Sequence, residues 1–139
     1  MTLVVIDTNV VLDMFVFRDP RVQGLKDDLA QGRQRWIATQ RMRDELERVL
    51  HYPHVQQRLQ TAADSQANGQ TLSAETVLAQ RDAWAQLVDV APKAPYTCKD
   101  PDDQCFIDLA VAHTCPLWSK DKAVLKMRKR LAGLGVEIR

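Results

Sequence analysis

The sequence predicts an α/β domain in which helices cover both faces of a parallel sheet. Short apolar runs alternate along the chain with longer segments of helical periodicity. This alternation is typical of parallel sheets, because parallel strands are joined by crossovers that are usually helices. The runs are continuously apolar, which indicates strands buried on both faces. With 139 residues, 45% of them hydrophobic, the chain can form one core, and we expect a single domain over residues 1–139.

The first half of the chain is predicted to contain two strands and four helices. Thr39 can cap the helix that follows the second strand, whereas Asp19-Pro20 and Gly32 interrupt the helical pattern. The predicted elements, in order, are a strand at residues 3–6, helices at 10–17 and 23–31, a strand at 36–38, and helices at 41–51 and 55–63.

The second half begins with a polar stretch, residues 64–73, in which Asn68-Gly69 predicts a loop. Gly133 and Gly135 close the last long helix. The predicted elements, in order, are a helix at 75–88, a strand around Val90 that ends at Pro92, a helix from Asp102 or Asp103 to His113, a strand at 117–118, a helix at 121–131 and a short strand at 136–138.

Composition limits the possible functions. The net charge of +1 indicates no partner by itself. No apolar stretch approaches the ~20 residues needed to cross a bilayer, and the N-terminal run does not resemble a signal peptide, so we expect a cytoplasmic protein with no membrane partner. The three cysteines form no CxxC pair, so we expect them to pack as small apolar side chains.

Two aspartates come shortly after predicted strands. Asp7 comes after the first strand and Asp121 after the fourth. A carboxylate between apolar stretches is costly to bury alone, and ligand sites of open α/β folds lie outside the carboxyl ends of strands. Asp121 has a competing interpretation as the N-cap of the last helix. Because two strands each bring an aspartate to the same edge of the sheet, a ligand site is favoured there.

Further acidic residues can reach the same edge from helices. On the helix over 41–51, Glu45 lies at the margin of the apolar stripe, whereas Asp44 and Glu47 point away and Glu47 can pair with Arg43. Capping explains any one aspartate of the run at residues 100–103, but not three in four positions. Asp103 shares a helical face with Phe106 and points inward, whereas Asp108 is predicted to be solvated.

Carboxylates that meet in one cleft repel each other unless a cation neutralises them. All-oxygen acidic sites suit Mg²⁺ or Mn²⁺. The three histidines have no metal-ligand spacing, so a zinc site is not favoured.

Four segments together resemble the PIN domain, and within it the bacterial branch of toxin components of toxin–antitoxin pairs (VapC-like ribonucleases). These segments are VVIDTNVVLD, RDELERVL, DPDDQCFIDLA and SKDKAVL, and the resemblance covers nearly the whole chain. It implies a three-layer α/β/α sandwich with a parallel sheet of four or five strands, and a ribonuclease that depends on Mg²⁺ or Mn²⁺. By position, it implies that the catalytic and metal-binding residues are Asp7, Glu45, Asp103 and Asp121, with Asn9 orienting the first carboxylate and Asp100 as a secondary acid.

The resemblance also implies partners: a single-stranded RNA substrate, an antitoxin that inserts an arginine or an apolar helix near the acidic cleft, and a second copy in a homodimer. Lys120 departs from the pattern, because relatives usually have glycine or arginine there. It could contact phosphate or weaken metal binding. The candidate RNA contacts are Lys120, Lys122, Arg43 and Arg128. The alternative for these cations is a solvated helix face.

Two other functions compete with this interpretation. A phosphatase of the haloacid dehalogenase class needs a second aspartate where this chain has Asn9, which counts against it. A PIN-like module with a weak or silent site, binding RNA or a protein, stays open because of Lys120. The presence of all four acids argues against such a silent module.

Overall fold

A four-stranded parallel sheet organises the part of the chain that the computed structural model describes, residues 2–64 and 72–139. Its strands are β1 (Thr2–Ile6), β2 (Gln34–Ala38), β3 (Ala85–Leu87) and β4 (Leu117–Trp118). They lie in the order β3-β2-β1-β4, and all pairs are parallel. The predicted α/β fold is confirmed.

Helices connect the strands. In order, they are α1 (Thr8–Phe15), α2 (Gln23–Ala30), α3 (Gln40–Leu50), α4 (Pro53–Asp64), α5 (Ala74–Trp84), α6 (Gln104–His113), α7 (Lys122–Leu125) and α8 (Arg128–Ala132). Short 3-10 turns, Pro20–Val22 and Pro101–Asp103, precede α2 and α6. None of the described helices combines the length and apolar character that a membrane span requires.

The central strand is buried on both faces. Val4, Val5 and Ile6 are successive residues of β1, and none is more than 2% exposed. Because successive side chains of a strand point to opposite faces, helices must cover both sides of the sheet. On β2, Trp36 is buried in the same way and stacks on Phe15 of α1, with ring centroids 6.3 Å apart. This is the layered arrangement expected from the continuously apolar strands.

The strand order places a topological switch point beside β1. From β1 the chain proceeds through β2 to β3 on one side, and β4 is added on the other side. Ile6 pairs with Trp118, and the Asp7 N–H donates to the Trp118 carbonyl at 2.9 Å. The residues that follow β1 and β4 are therefore neighbours at the carboxyl edge, where open α/β sheets bind ligands.

The third strand lies earlier in the chain than predicted. Helix α5 ends at Trp84, and the strand forms at Ala85–Leu87 instead of around Val90, which is 80% exposed. Pairing with β2 explains the shift, since Trp36 to Ala38 align with Ala85 to Leu87. This tertiary pairing overrides the helical periodicity that the local sequence shows.

The C-terminal segment also differs from its prediction. The helix expected over 121–131 is broken into α7 and α8, with a tight bond from the Met127 N–H to the Val124 carbonyl at 2.9 Å. The break buries both Met127 and Leu131. The predicted strand at 136–138 contributes a single bridge between Leu117 and Ile138. The loop predicted around Asn68-Gly69 lies outside the described residues.

The segment before α6 packs back onto that helix. Asp108 accepts hydrogen bonds from the Ala94 N–H and from Gln104 Nε2, each at 2.8 Å. Gln104 in turn accepts from the Cys98 N–H at 2.6 Å. The prediction that Asp108 is solvated is therefore wrong, because this connector needs an acceptor for its backbone amides.

Candidate metal centre

Three carboxylates converge at the carboxyl edge of the sheet. Oxygens of Asp100, Asp103 and Asp121 all lie within 4.8 Å of one another. Asp100 accepts from the Asp102 N–H at 3.0 Å, and Asp121 caps α7 by accepting from the Ala123 N–H at 2.9 Å. The capping interpretation of Asp121 is confirmed, and it coexists with the cluster because the cap uses one carboxylate oxygen. Asp100, which was expected to be a secondary acid of the site, lies within this same 4.8 Å of both Asp103 and Asp121.

Asp103 is the most perturbed member of the cluster. It is 8% exposed, and its Oδ2 atom has no hydrogen-bond partner among the described residues. Burial, together with the negative charges of Asp7, Asp121 and Asp100, raises the pKa of Asp103 from 3.8 to about 8. A buried carboxylate oxygen without a donor is costly, so this atom calls for a cation or a proton.

Asp7 lies next to this cluster at the end of β1. It is 4% exposed, and its Oδ2 accepts from the Ser119 hydroxyl at 2.7 Å. Burial raises the pKa of Asp7 from 3.8 to about 6; the Ser119 hydrogen bond opposes this shift, and the charges of Glu45 and Asp121 add to it. Asp7 is therefore electrostatically coupled to the cluster, although it is not one of the three carboxylates within 4.8 Å.

Glu45 approaches Asp7 from α3. The hydroxyl of Thr8, the first residue of α1, donates to Glu45 Oε2 at 2.5 Å. Glu45 is half-buried, whereas Asp44 and Glu47 are exposed, and Glu47 pairs with Arg43 at 3.3 Å as predicted. The face of α3 that carries Glu45 is thus turned towards the strand-end aspartates.

Two hydroxyl residues that position these acids were missed by the sequence analysis. Ser119 bridges the two strand ends, because its oxygen donates to Asp7 and also accepts from the Asp121 N–H at 3.2 Å. Thr8 makes the contact with Glu45, whereas Asn9 is exposed and only its backbone amide helps to lower the pKa of Asp7. The available signal was a hydroxyl residue within two positions of each strand end, Thr8 after β1 and Ser119 after β4.

The candidate RNA contacts lie around the centre in different environments. Lys120 Nζ pairs with the buried carboxylate of Asp13 at 2.9 Å. Arg43 is held by Asp82 at 3.0 Å. Lys122 and Arg128 are exposed at the starts of α7 and α8, and within residues 2–64 and 72–139 neither forms an ion pair.

The residues present fit a divalent cation. The donors are all carboxylate oxygens, the set that Mg²⁺ and Mn²⁺ prefer. In the described part of the chain, no lysine or arginine forms an ion pair with any of the five acids, which are Asp7, Glu45, Asp100, Asp103 and Asp121. A bound cation would also account for the unpartnered oxygen of Asp103.

Strand-end carboxylates around a cation site are an arrangement used by enzymes that hydrolyse phosphate esters with metal ions. A family model of the PIN domain matches residues 3–117, which is most of the chain. The chain therefore belongs to the PIN domain family, a group of proteins that are generally metal-dependent nucleases. The matched span ends before Asp121, so it is the pairing of β1 with β4 that joins this residue to the others. No curated protein matches the chain at a significant level of similarity.

Proposed function

We propose that this chain is a metal-dependent endoribonuclease that hydrolyses phosphodiester bonds of single-stranded RNA, in one domain spanning residues 1–139. The supporting observation is the buried, unpartnered Oδ2 of Asp103 in a group of three carboxylates. A structural role would leave this oxygen with a donor. A cation-binding role explains both the missing donor and the crowding of like charges.

Asp7, Asp103 and Asp121 would hold Mg²⁺ or Mn²⁺, and Glu45 would serve as a further ligand or orient water. Asp100 joins this set because its carboxylate lies within the same 4.8 Å group. When bound, a divalent cation lowers the pKa of water and neutralises the charge that develops on the phosphoryl oxygens.

The remaining residues prepare the carboxylates for this task. Ser119 holds one oxygen of Asp7 and leaves the other for a ligand, and it lowers the pKa of Asp7 so that the carboxylate is more readily ionised. Thr8 fixes the rotamer of Glu45. Oxygens held in place before binding lose less conformational entropy when the cation and substrate arrive.

Cations beside the acids support a nucleic-acid substrate. Lys122 and Arg128 are exposed on α7 and α8, where they can contact phosphates that flank the cut. The alternative, a silent module, rests on repulsion between Lys120 and the metal. Because the Lys120 ammonium is paired with Asp13, its charge is largely offset, which weakens that argument.

The proposed cellular role is that of the toxin of a toxin–antitoxin pair, acting in the cytoplasm as a homodimer that a cognate antitoxin inhibits. The support for this role, and for RNA over DNA, is the resemblance of the four quoted segments to that branch of the family.

The test is a cleavage assay on a panel of single-stranded RNAs with Mg²⁺, Mn²⁺ or EDTA. We expect the wild type to cut with either cation and not with EDTA, and Asp7→Asn and Asp103→Asn to lose at least about 100-fold in rate, as removal of a key electrostatic group does. Asp102→Asn is the matched control, because Asp102 belongs to the same acidic run but is exposed. An inert wild type, or equal loss in the control, would contradict the proposal.

A further inference from the structure

We infer that the N-terminus of α3 is a phosphate-binding site, separate from the acidic centre, that holds a phosphate group of the bound RNA strand. It opens into a cavity of about 420 Å³ between the start of α3, the connector over residues 90–101 and α6. That the ligand is an RNA strand rests on the proposed function. The affinity of the site for phosphate rests on the contacts described next.

A side chain that lines this cavity has no hydrogen-bond partner among the described residues. Thr39 is the N-cap of α3 and 4% exposed, and it lines the cavity. Its side chain makes no capping hydrogen bond, contrary to its predicted role, and no other described residue bonds it. Although Thr39 as a residue is buried, its hydroxyl oxygen keeps some solvent exposure, so the hydroxyl is available to a ligand in the cavity.

The missing cap also leaves the first turn of α3 available. The first bond into the helix runs from the Arg43 N–H to the Thr39 carbonyl at 3.3 Å. The N–H groups of residues 40–42 precede that bond and have no acceptor within the helix. Such N–H groups, aligned with the helix dipole, favour an anion. In an 11-residue helix the dipole is fully developed at this end.

Two cations complete the anion site. Arg41 lines the cavity, and no ion pair with it occurs in the described part of the chain. Lys93 Nζ donates to Thr97 Oγ1 at 2.7 Å and to the Ala94 carbonyl at 3.4 Å, both neutral acceptors. The one acidic side chain in the lining, Asp108, is already hydrogen-bonded to the Ala94 N–H and to Gln104. The balance of charge favours a phosphate.

The position of the site relative to the acidic centre suits a nucleic-acid strand. Glu45 lies five residues along α3 from the first helical residue, about 7.5 Å along the axis. A smaller cavity, lined by Glu45 among others, shares Arg41 and Cys105 with the larger one. A strand cut at the acidic centre can therefore extend over α3 and place a neighbouring phosphate at Thr39. The apolar lining at Val90, Ala91 and Pro101 leaves room for a ribose or a base.

The experiment measures binding without cleavage, using the full chain in EDTA. One probe is inorganic phosphate, followed by NMR shifts of the amides of residues 39–42. The second is a fluorescent single-stranded RNA, followed by anisotropy over a series of salt concentrations, with and without a 5′-phosphate. The variants are Thr39→Val, Thr39→Ser and Arg41→Gln. Matched controls on α4 are Thr61→Val and Arg58→Gln, which remove the same groups from exposed positions outside the cavity.

We expect phosphate to shift the amides of residues 39–42 in the wild type. Thr39→Val should weaken RNA binding by about tenfold or more, the usual effect of losing one hydrogen bond to a charged group, and Thr39→Ser should restore it. Arg41→Gln should weaken binding and reduce the salt slope by about 0.7, as loss of one phosphate contact on a single strand does. The controls should bind as the wild type does. An effect of Thr39→Val restricted to 5′-phosphorylated RNA assigns a terminal phosphate, and an equal effect on both RNAs assigns an internal one.

Three results would overturn the inference: no amide shift with phosphate, Thr39→Val and Arg41→Gln that bind RNA as the controls do, or a wild type that binds neither probe. Because cleavage is not measured, these results are independent of the nuclease proposal. A wild type that cuts RNA while Thr39→Val binds normally removes only the phosphate site. A wild type that binds phosphate at α3 but cuts no RNA removes only the nuclease.

Discussion

Replacing Ser119 with alanine tests how the fold controls the charge of Asp7. Ser119 is 3% exposed, donates to Asp7 Oδ2 at 2.7 Å and accepts from the Asp121 N–H at 3.2 Å. Its hydrogen bond favours the ionised form of Asp7, and burial opposes it. In Ser119→Ala, the pKa of Asp7 should therefore rise further above its present value of about 6.

The size and sign of the effect on stability follow from the shifted pKa. Because the pKa of Asp7 is raised from 3.8 to about 6 on folding, Asp7 makes the wild type less stable as pH increases through that range. A further rise of about one unit in the folded-state pKa adds ~1.4 kcal/mol of destabilisation once the folded protein ionises Asp7. It adds almost none at pH 4, where folded Asp7 is protonated in both the wild type and the variant. The cost of Ser119→Ala should thus be about 1–2 kcal/mol larger at pH 8 than at pH 4, in addition to a pH-independent cost for losing the bond from the Asp121 N–H.

Urea unfolding in EDTA at both pH values measures this difference, and an NMR titration of the Asp7 carboxyl carbon reports its pKa directly. The control is the same substitution in an Asp7→Asn background, where the pH-dependent part should disappear. A cost of Ser119→Ala that is equal at pH 4 and pH 8, or an unchanged Asp7 pKa, would refute the role of the hydrogen bond.

Three further predictions concern the charges of the site. Asp103→Asn should stabilise the metal-free protein by about 1–3 kcal/mol at pH 9 and hardly at pH 4, because the raised pKa of Asp103 makes its ionisation unfavourable. Urea unfolding measures this stability, and equal effects at both pH values would contradict the prediction. Millimolar Mg²⁺ should raise the melting temperature of the wild type more at pH 9 than at pH 6, because the cation competes with protons for the carboxylates. In Asp103→Asn, Mg²⁺ should not raise the melting temperature more at pH 9 than at pH 6. Scanning fluorimetry measures both proteins, and the same Mg²⁺ effect in wild type and variant would contradict the prediction. Lys120→Met should destabilise the protein by about 1–3 kcal/mol, because it leaves the buried Asp13 charge unpaired. Adding Asp13→Asn should recover most of this loss in the same unfolding assay. No recovery would argue against the ion pair.

Much of the site could be located from local sequence patterns. An aspartate just after a short apolar run marks the carboxyl end of a buried strand, and it follows the run directly at Asp7 and after two residues at Asp121. Helical periodicity separated Glu45 from its acidic neighbours, because the angle of each side chain from the apolar stripe depends only on its position in the helix. These inferences needed no knowledge of which elements are neighbours.

Other features depended on contacts that local patterns do not contain. The segment at 85–87 has helical periodicity yet forms a strand, because the edge of β2 accepts it as a partner. Thr39 is a good cap by residue type, but its hydroxyl makes no cap bond. Asp100 caps the 3-10 turn that precedes α6 and Asp103 ends it, and only their distances to Asp121 show that both lie in the cation group.

The sequence by itself determined the class of fold, the strand ends that carry aspartates and the helix face that carries Glu45, because periodicity and strand-end positions are properties of a single segment. The tertiary structure alone decided which oxygens meet. The alignment of Ile6 with Trp118 brings Ser119 to Asp7. The packing of α6 against β1 and β4 brings Asp103 to Asp121. Their burial and mutual repulsion, which raise the pKa values of Asp7 and Asp103, exist only once segments more than 90 residues apart are packed together.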